Sequence, residues 1–253
     1  MAVALHHEIS GPADAPALVL AGSLGTDLGM WEPLLEHLGG EHRMIRVDHR
    51  GHGASPAPPG PYTIPELADD LCALLDRLEL ERPSVCGLSI GGMIGMWLAA
   101  HRPDRLDRLV LICTAAHLPP AADWRKRAAV VRARGVGSIA PYVLAAWLTP
   151  AYAGTHPLET ETLSAMLTST SPEGYAACCE AIAEVDVREE LVAITAPTLV
   201  IAGDQDQATP PDPHARLIAD AIPDARLELL SAAHLASFER PAEAGALIRR
   251  HLA

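Results

Sequence analysis

Short runs rich in apolar residues alternate with helical segments along most of the chain, and this alternation limits the fold more than any other feature of the sequence. The runs have the length of β-strands and are found at residues 17–22, 43–48, 84–87, 106–114, 197–203 and 226–230. Helical periodicity marks the segments between them, at 64–78, 91–101, 213–222 and from 241 onward. Strands that are apolar on both sides and separated by helices indicate a mostly parallel sheet covered on both faces. We therefore predict a doubly wound α/β fold.

One region, residues 118–190, breaks the alternation. Its pattern is helical, with no evident strand, and it is interrupted by Pro141, Pro150, Pro157 and Pro172. We interpret it as a helical cap inserted into an α/β core formed by residues 1–117 and 191–253. Such a cap excludes water from a site beneath it. The alternative is an independent helical domain, which the lack of flanking linkers disfavours.

Charge and composition narrow the classes of partner. The chain has 253 residues, 49% of them hydrophobic, which suits one large domain with an insertion. Its 19 basic and 32 acidic side chains give a formal net charge of −13. This charge disfavours nucleic acid and anionic membranes as partners, because both carry phosphates. A small-molecule substrate is compatible with this charge, but the charge does not identify it.

The cysteines and the N-terminal sequence indicate the cellular compartment of the protein. The five cysteines show no metal-binding spacing, and several lie in apolar runs, so we expect buried, reduced thiols. No signal peptide is recognisable, and no apolar run approaches the length of a membrane span. These features predict a cytoplasmic protein.

Ser89 lies between two glycines in the sequence GLSIG, after one predicted strand and before a predicted helix. Gly87 and Gly91 lack side chains at the two places where a tight strand-to-helix turn is crowded. Such a turn holds its serine in strained geometry, with the hydroxyl exposed at the end of the sheet. The alternative is that these five residues match the motif by chance. A nucleophilic serine also needs partner residues, so their presence elsewhere in the sequence decides between the two interpretations.

A serine hydroxyl needs a histidine to take its proton and a carboxylate to orient that histidine. In doubly wound enzymes that use such a serine, the chain order is Ser, acid, His, with each residue after a strand. Asp204 and Asp206 follow the strand at 197–203, and His234 follows the last strand. Asp206 is favoured because it lies further from the strand end, whereas Asp204 is placed to shape the turn. The predicted triad is Ser89, Asp206 and His234.

Two backbone amides are expected to bind the oxyanion of the tetrahedral intermediate. One is that of Ile90, directly after Ser89. The other is assigned to Leu24, in a turn after the first predicted strand where Gly22 and Gly25 let the backbone approach closely. A simple strand-to-helix connection is the alternative reading of this turn. Phosphate binding is disfavoured, because the chain has neither GxGxxG nor a P-loop lysine.

Taken together, these motifs resemble the α/β-hydrolase superfamily over nearly the whole chain, through GLSIGG, DHRGHGAS, AGDQD and the late AAH. Within it, SLGTDLGMW and TSPEGYA resemble the 3-oxoadipate enol-lactonases, which hydrolyse an enol-lactone of aromatic degradation. The resemblance also favours Asp206, since the acid of that family follows a GxQ turn. Two places depart from the family: LAGSLG at 20–25, and Cys113 where an asparagine is usual.

The resemblance implies hydrolysis of an enol-lactone through an acyl-enzyme, with no metal or organic cofactor. Because that substrate carries a carboxylate, a cation is expected in the cap. Trp124 and Arg127 lie on one face of the first cap helix, which makes Arg127 the candidate for binding it. The alternative is a solvated basic face shared with Arg125, Lys126, Arg132 and Arg134. Trp147 is expected either as an apolar wall of the pocket or as core.

Two other functions are compatible with the same residues. A general esterase or a cofactor-free perhydrolase would use the same triad on other acyl groups. A non-catalytic ligand-binding relative is a different class, and it would fail to react with a probe for nucleophilic serines.

Overall fold

A computed structural model describes residues 1–253 and contains one seven-stranded sheet. Its strands are β1 (His7–Ser10), β2 (Ala17–Ala21), β3 (Arg43–Val47), β4 (Ser84–Leu88), β5 (Leu109–Ile112), β6 (Thr198–Gly203) and β7 (Arg226–Leu230). Their order across the sheet is β1-β3-β2-β4-β5-β6-β7. Every neighbouring pair is parallel except β1 and β3. The predicted doubly wound, mostly parallel α/β fold is confirmed.

Eleven α-helices accompany the sheet. They are α1 (Glu32–Leu38), α2 (Ile64–Arg77), α3 (Ile90–His101), α4 (Ala121–Arg134), α5 (Ala140–Trp147), α6 (Pro150–Thr155), α7 (Pro157–Ser169), α8 (Pro172–Glu184), α9 (Arg216–Ala221), α10 (Ala236–Glu239) and α11 (Pro241–Leu252). Helices α4 to α8 all lie between β5 and β6 in the chain, and we propose that they act as the cap. None of the eleven combines the length and apolar character that crossing a membrane requires. The five cysteines are buried and form no disulfide.

Helix α2 shows how local sequence sets an element. Thr63 caps its first turn by accepting the N–H of Glu66, and the Glu66 side chain accepts the N–H of Thr63 in return. This capping box satisfies donors that have no partner inside the helix. The leucines at 67, 71, 74 and 75 are all buried, so one face of the helix packs on the core.

Three elements were not predicted, namely β1, α1 and the four-residue α10. Strand β1 has the sequence HEIS, whose burial is only partial, and it pairs antiparallel with β3 at the edge of the sheet. It has no apolar run because one edge strand covers little of the core. Helix α1 has seven residues and too few turns to show a clear period.

The helices from α4 to α8 press on the loops at the carboxyl ends of the strands. A Cβ on Gly51 would lie 2.4 Å from the Cα of Gly174, so the loop after β3 meets α8 backbone to backbone. Gly51 also has φ +81°, a conformation that glycine adopts at little cost. The hydroxyl of Thr170, just before α8, donates to the carbonyl of Gly25 at 3.3 Å. The strand ends and these helices therefore enclose the space in which the predicted site residues lie.

A buried ion pair joins the loop after β3 to α2, and it provides a test of what stabilises the core. Asp70 on α2 accepts from Nε and Nη2 of Arg50 at 2.6 and 2.7 Å, and the two side chains are 1% and 7% exposed. Asp70→Asn leaves a buried guanidinium without its carboxylate, so we expect the free energy of unfolding to fall by about 3 kcal/mol. Urea denaturation measures this change.

The neighbouring Asp69 supplies the control. It pairs with Arg102 at 3.0 Å on the surface, so Asp69→Asn should cost less than about 1 kcal/mol. Equal losses in the two variants would contradict a special role for the buried pair.

Candidate active site

Ser89 occupies the turn between β4 and α3 with φ +57°, in the region that non-glycine residues rarely adopt. Its N–H donates to the carbonyl of Ile112 at 3.0 Å, and its carbonyl accepts from the Thr114 hydroxyl at 2.7 Å. A Cβ on Gly87 would lie 2.2 Å from the carbonyl oxygen of Gly91, so no side chain fits there. The hydrogen bonds and this close approach hold the strained turn in place.

Asp206 follows β6 and His234 follows β7, and the structure brings them into contact. Nδ1 of His234 lies 2.9 Å from Oδ2 of Asp206, and both residues are less than 5% exposed. The Thr209 hydroxyl also donates to Oδ2 at 2.7 Å, and the N–H groups of Ala208 and Thr209 donate to Oδ1 at 2.8 and 3.1 Å. An ionised carboxylate only accepts, so Nδ1 carries the proton and Nε2 is left to act as a base.

The charge of Asp206 depends on the balance between burial and its partners. Burial raises the pKa of the carboxyl, but the attraction and hydrogen bond of His234, together with the Thr209 bonds, lower it to about 2. Asp206 is therefore ionised at neutral pH. Asp204 is exposed, and its backbone N–H donates to the carbonyl of Leu230 at 2.9 Å. Of the two candidate acids, Asp206 is the one that contacts His234.

Ser89 and His234 line the same cavity, which has a volume of about 350 Å³. No hydrogen bond joins their side chains in this structure; such contacts often tighten only when a substrate is bound. More than half of the lining residues are hydrophobic, so the cavity combines apolar walls with a small number of polar groups. No group of three or more His, Cys, Asp or Glu side chains has the arrangement of a metal site.

Both predicted oxyanion donors adjoin Ser89 or this cavity. Ile90 is the first residue of α3, so its N–H has no acceptor one turn earlier in the helix. Leu24 lines the cavity, and its N–H donates to no group of the protein. The carbonyl of Ser23, across the same trans peptide, accepts from Thr26 N–H and Oγ1 at 3.2 and 2.9 Å. Because N–H and C=O point in opposite directions, the Leu24 N–H is directed away from Thr26.

Arg127 is the only guanidinium or ammonium group that lines the cavity, and it forms no ion pair. Its guanidinium lies over the rings of Trp124 and Tyr142, at 4.5 and 5.4 Å from their centres. Arg125 pairs instead with Glu184 outside the cavity. The remaining basic residues of this helix also lie outside it, namely Lys126, Arg132 and Arg134. Trp147 is buried and lines the cavity.

Cys113, where the sequence departs from the family it resembles, lies at the end of β5 with φ +45°. Its thiol is buried and lies 3.8 Å from the carbonyl oxygen of Ala233, next to His234 in the chain. Burial raises the pKa of this thiol, so it remains protonated. Cys113 thus packs behind the loop that carries His234.

Glu239 is a site residue that the sequence analysis missed. It is 4% exposed, and its carboxylate accepts the N–H of Ala233 at 2.8 Å and the N–H and hydroxyl of Thr149 at 3.1 and 2.7 Å. The loop of His234 is therefore tied to the start of α6. The only signal in the sequence is a glutamate at the end of the short α10, five residues after His234.

Comparison with known proteins finds similar sequences and similar structures. A family model described as the alpha/beta hydrolase fold matches residues 16–135. The chain is 42% identical to 3-oxoadipate enol-lactonase 2 of Acinetobacter baylyi over 239 residues, which cover 94% of the chain and 89% of that protein. The crystal structure of the enol-lactonase from Burkholderia xenovorans superposes with a TM-score of 0.96 at 40% identity, covering 98% of this chain and 96% of that one. A thermophilic esterase from Thermogutta terrifontis, 32% identical, gives 0.92 and covers 98% and 92%.

The two aspartates can be separated by the reactivity of Ser89. In Asp206→Asn the side-chain oxygen is expected to keep the N–H groups of Ala208 and Thr209, which turns the amide NH₂ toward His234. The imidazole then carries its proton on Nε2 and cannot take one from serine. We expect the rate of Ser89 labelling by a fluorophosphonate, measured by mass spectrometry, to fall by roughly 10³-fold or more.

Asp204→Asn is the matched control, and its labelling rate should stay within about twofold of wild type, because the exposed side chain does not contact His234. Comparable losses in both variants would contradict the choice of Asp206.

Proposed function

The chain belongs to the α/β-hydrolase family, and from this premise we propose that it is a serine hydrolase that converts 3-oxoadipate enol-lactone to 3-oxoadipate. The observation that carries the proposal is a single cavity lined by Ser89, His234 and the unpaired cation of Arg127. A nucleophile, a base and an anion-binding group in one cavity suit an ester that bears a carboxylate. The similarity to two proteins named as enol-lactonases supports the same substrate class.

In the proposed reaction, Oγ of Ser89 attacks the lactone carbonyl while Nε2 of His234 takes the hydroxyl proton. Asp206, ionised and hydrogen-bonded to Nδ1, stabilises the imidazolium that forms. The N–H groups of Leu24 and Ile90 are proposed to stabilise the oxyanion. The tetrahedral intermediate collapses when its ring C–O bond breaks, leaving the acyl group on Ser89.

The leaving group accounts for the ease of this step. The departing oxygen is that of an enol, which takes the proton from His234 and tautomerises to a ketone. His234 then removes a proton from water, which attacks the acyl-enzyme. The bond between the acyl carbon and Oγ of Ser89 breaks, Oγ takes the proton from His234, and a carboxylic acid is released. The balance is one lactone and one water consumed for one oxo acid formed.

We propose that the cap makes the site selective for a substrate that bears a carboxylate. Arg127 has no carboxylate partner in the protein, whereas Arg125 and Arg132 both do. We propose that the substrate carboxylate completes this pairing, with Trp124 and Tyr142 holding the guanidinium in place through their ring faces. Trp147 is proposed to form an apolar wall beside the ring of the lactone.

A general carboxylesterase is the second candidate, favoured by the esterase neighbour at 32% identity. Hydrolysis of the enol-lactone compared with p-nitrophenyl acetate separates the two functions. A much higher kcat/KM on the enol-lactone supports the first, and equal values support the second. If Ser89 did not react with a fluorophosphonate, the protein would instead be a non-catalytic relative.

Ser89→Ala removes only the nucleophile, so the fold should be kept while hydrolysis of the enol-lactone is lost. The loss expected on removing one member of a triad is roughly 10⁴-fold or more in kcat. Steady-state kinetics with a circular-dichroism check of folding makes the measurement. A variant that retained a tenth of the wild-type rate would overturn the assignment of Ser89.

Arg127→Ala tests the carboxylate contact. Loss of a charge-assisted pair in a partly dry pocket should lower kcat/KM on the enol-lactone by roughly 30-fold or more. A neutral ester of similar size should be hydrolysed nearly as before, because it never used the cation.

Arg125→Ala is the matched control on the same helix, and it should leave both substrates within about twofold. Equal loss on both substrates in Arg127→Ala would show that the residue supports the cap and does not select the substrate.

A further inference from the structure

Two buried histidines from the loop after β3 contact the turn that carries Leu24. Nε2 of His49 lies 2.9 Å from the carbonyl oxygen of Gly22, and Nε2 of His52 lies 2.9 Å from the backbone N of Gly25. The two histidines are 5% and 1% exposed, and neither lines the cavity. Their contacts with the turn are therefore made to its backbone, from outside the cavity.

The partners fix the tautomer of each ring. A carbonyl only accepts, so His49 is protonated on Nε2. The N–H of Gly25 is a donor, so Nε2 of His52 is bare, and its protonated Nδ1 donates to the carbonyl of Arg50 at 3.1 Å. Burial, followed by the neighbouring His49, lowers the pKa of His52 to about 4. His52 is thus a neutral acceptor at the pH where esterases work.

The two backbone groups that the histidines contact lie on either side of the Ser23–Leu24 peptide. The Gly22 carbonyl belongs to the peptide before Ser23, and the Gly25 N–H belongs to the peptide after Leu24. Between these two planar units lies the Ser23–Leu24 peptide, whose N–H is the proposed oxyanion donor. Because the peptides on both sides are held, the direction of the Leu24 N–H can change only through the backbone torsions of Ser23 and Leu24.

The same contacts relate the two oxyanion donors to each other. The Gly22 carbonyl that accepts from His49 also accepts the N–H of Gly91 at 3.2 Å. Gly91 directly follows Ile90, so the turn of Leu24 is tied to the start of α3. An oxyanion hole needs its donors within a few tenths of an ångström of their places, since their contribution depends on geometry present before the reaction.

We propose that His52 is a positioning residue of the oxyanion hole, which holds the Leu24 N–H in place by accepting the N–H of Gly25. The inference rests on the proposed function, because an oxyanion hole has a role only if Ser89 attacks an acyl group. A histidine that merely fills the core would affect stability without a selective effect on the transition state.

The test compares His52→Phe, which keeps a ring but has no acceptor, with His52→Gln, whose side-chain oxygen reaches about as far as Nε2. The control is His251→Phe, the same substitution at a buried histidine on α11 that does not contact the turn. Each variant is assayed for kcat and KM on p-nitrophenyl acetate. The affinity for phenylboronic acid is measured as well, because its adduct with serine places an oxygen in the oxyanion position. Thermal unfolding is recorded to separate folding from function.

For His52→Phe we expect kcat to fall by roughly 10-fold or more, with KM within about threefold of wild type. The affinity for the boronic acid should fall in parallel. His52→Gln should recover part of both losses, and His251→Phe should change neither beyond about twofold, even where both Phe variants lower the unfolding temperature.

The inference is overturned if His52→Phe behaves like His251→Phe, or if its boronic acid affinity is unchanged while kcat falls. It is also overturned if His52→Gln recovers nothing although it folds. Wild-type protein that neither hydrolyses the ester nor reacts with a fluorophosphonate would overturn the proposed function itself, a result distinct from these.

Discussion

The close approach of Gly91 to β2 is the contact on which the rest of the site depends. A Cβ on Gly91 would lie 2.1 Å from the carbonyl oxygen of Ala21, so only glycine lets α3 start this close to the sheet. Ser89 is thereby held with positive φ at the carboxyl end of β4, the central strand of the sheet. Leu24, Asp206 and His234 follow β2, β6 and β7, whose parallel direction brings their carboxyl ends to the same edge.

Two buried carboxylates then fix the loops at that edge through several hydrogen bonds each. Asp206 accepts from the backbone and from Thr209 as well as contacting His234, and Glu239 holds the loop of His234 against Thr149. Unpaired, such groups would be costly in an apolar interior, so the arrangement that satisfies them is strongly favoured over alternatives. Arg127 differs, since it is a cavity-lining cation with no carboxylate partner in the protein, and this difference is what suggests an anionic substrate.

Much of this architecture follows from local sequence, and the remainder depends on distant contacts. The apolar strands, the order Ser89, Asp206, His234 and the glycines beside Ser89 all have local signatures, and the fold predicted from them is confirmed. Strand β1 was missed because an edge strand needs no apolar run. Glu239 and His52 were missed because their partners lie far away in the chain, 90 residues for Thr149 and 27 for Gly25, and no local spacing marks such bonds. The roles of the triad, the oxyanion donors and the cap residues stay predictions.

The most direct measurement of the central claim, that the nucleophile of lactone hydrolysis is Ser89, is a titration with a fluorophosphonate. The fraction of Ser89 modified is read by peptide mass spectrometry, and the remaining hydrolysis of the enol-lactone is measured on the same samples. If Ser89 is the nucleophile, activity falls in proportion to modification of Ser89 and reaches zero when that residue is fully labelled. Hydrolysis that persists in fully labelled protein, or inactivation that tracks a different residue, would contradict it.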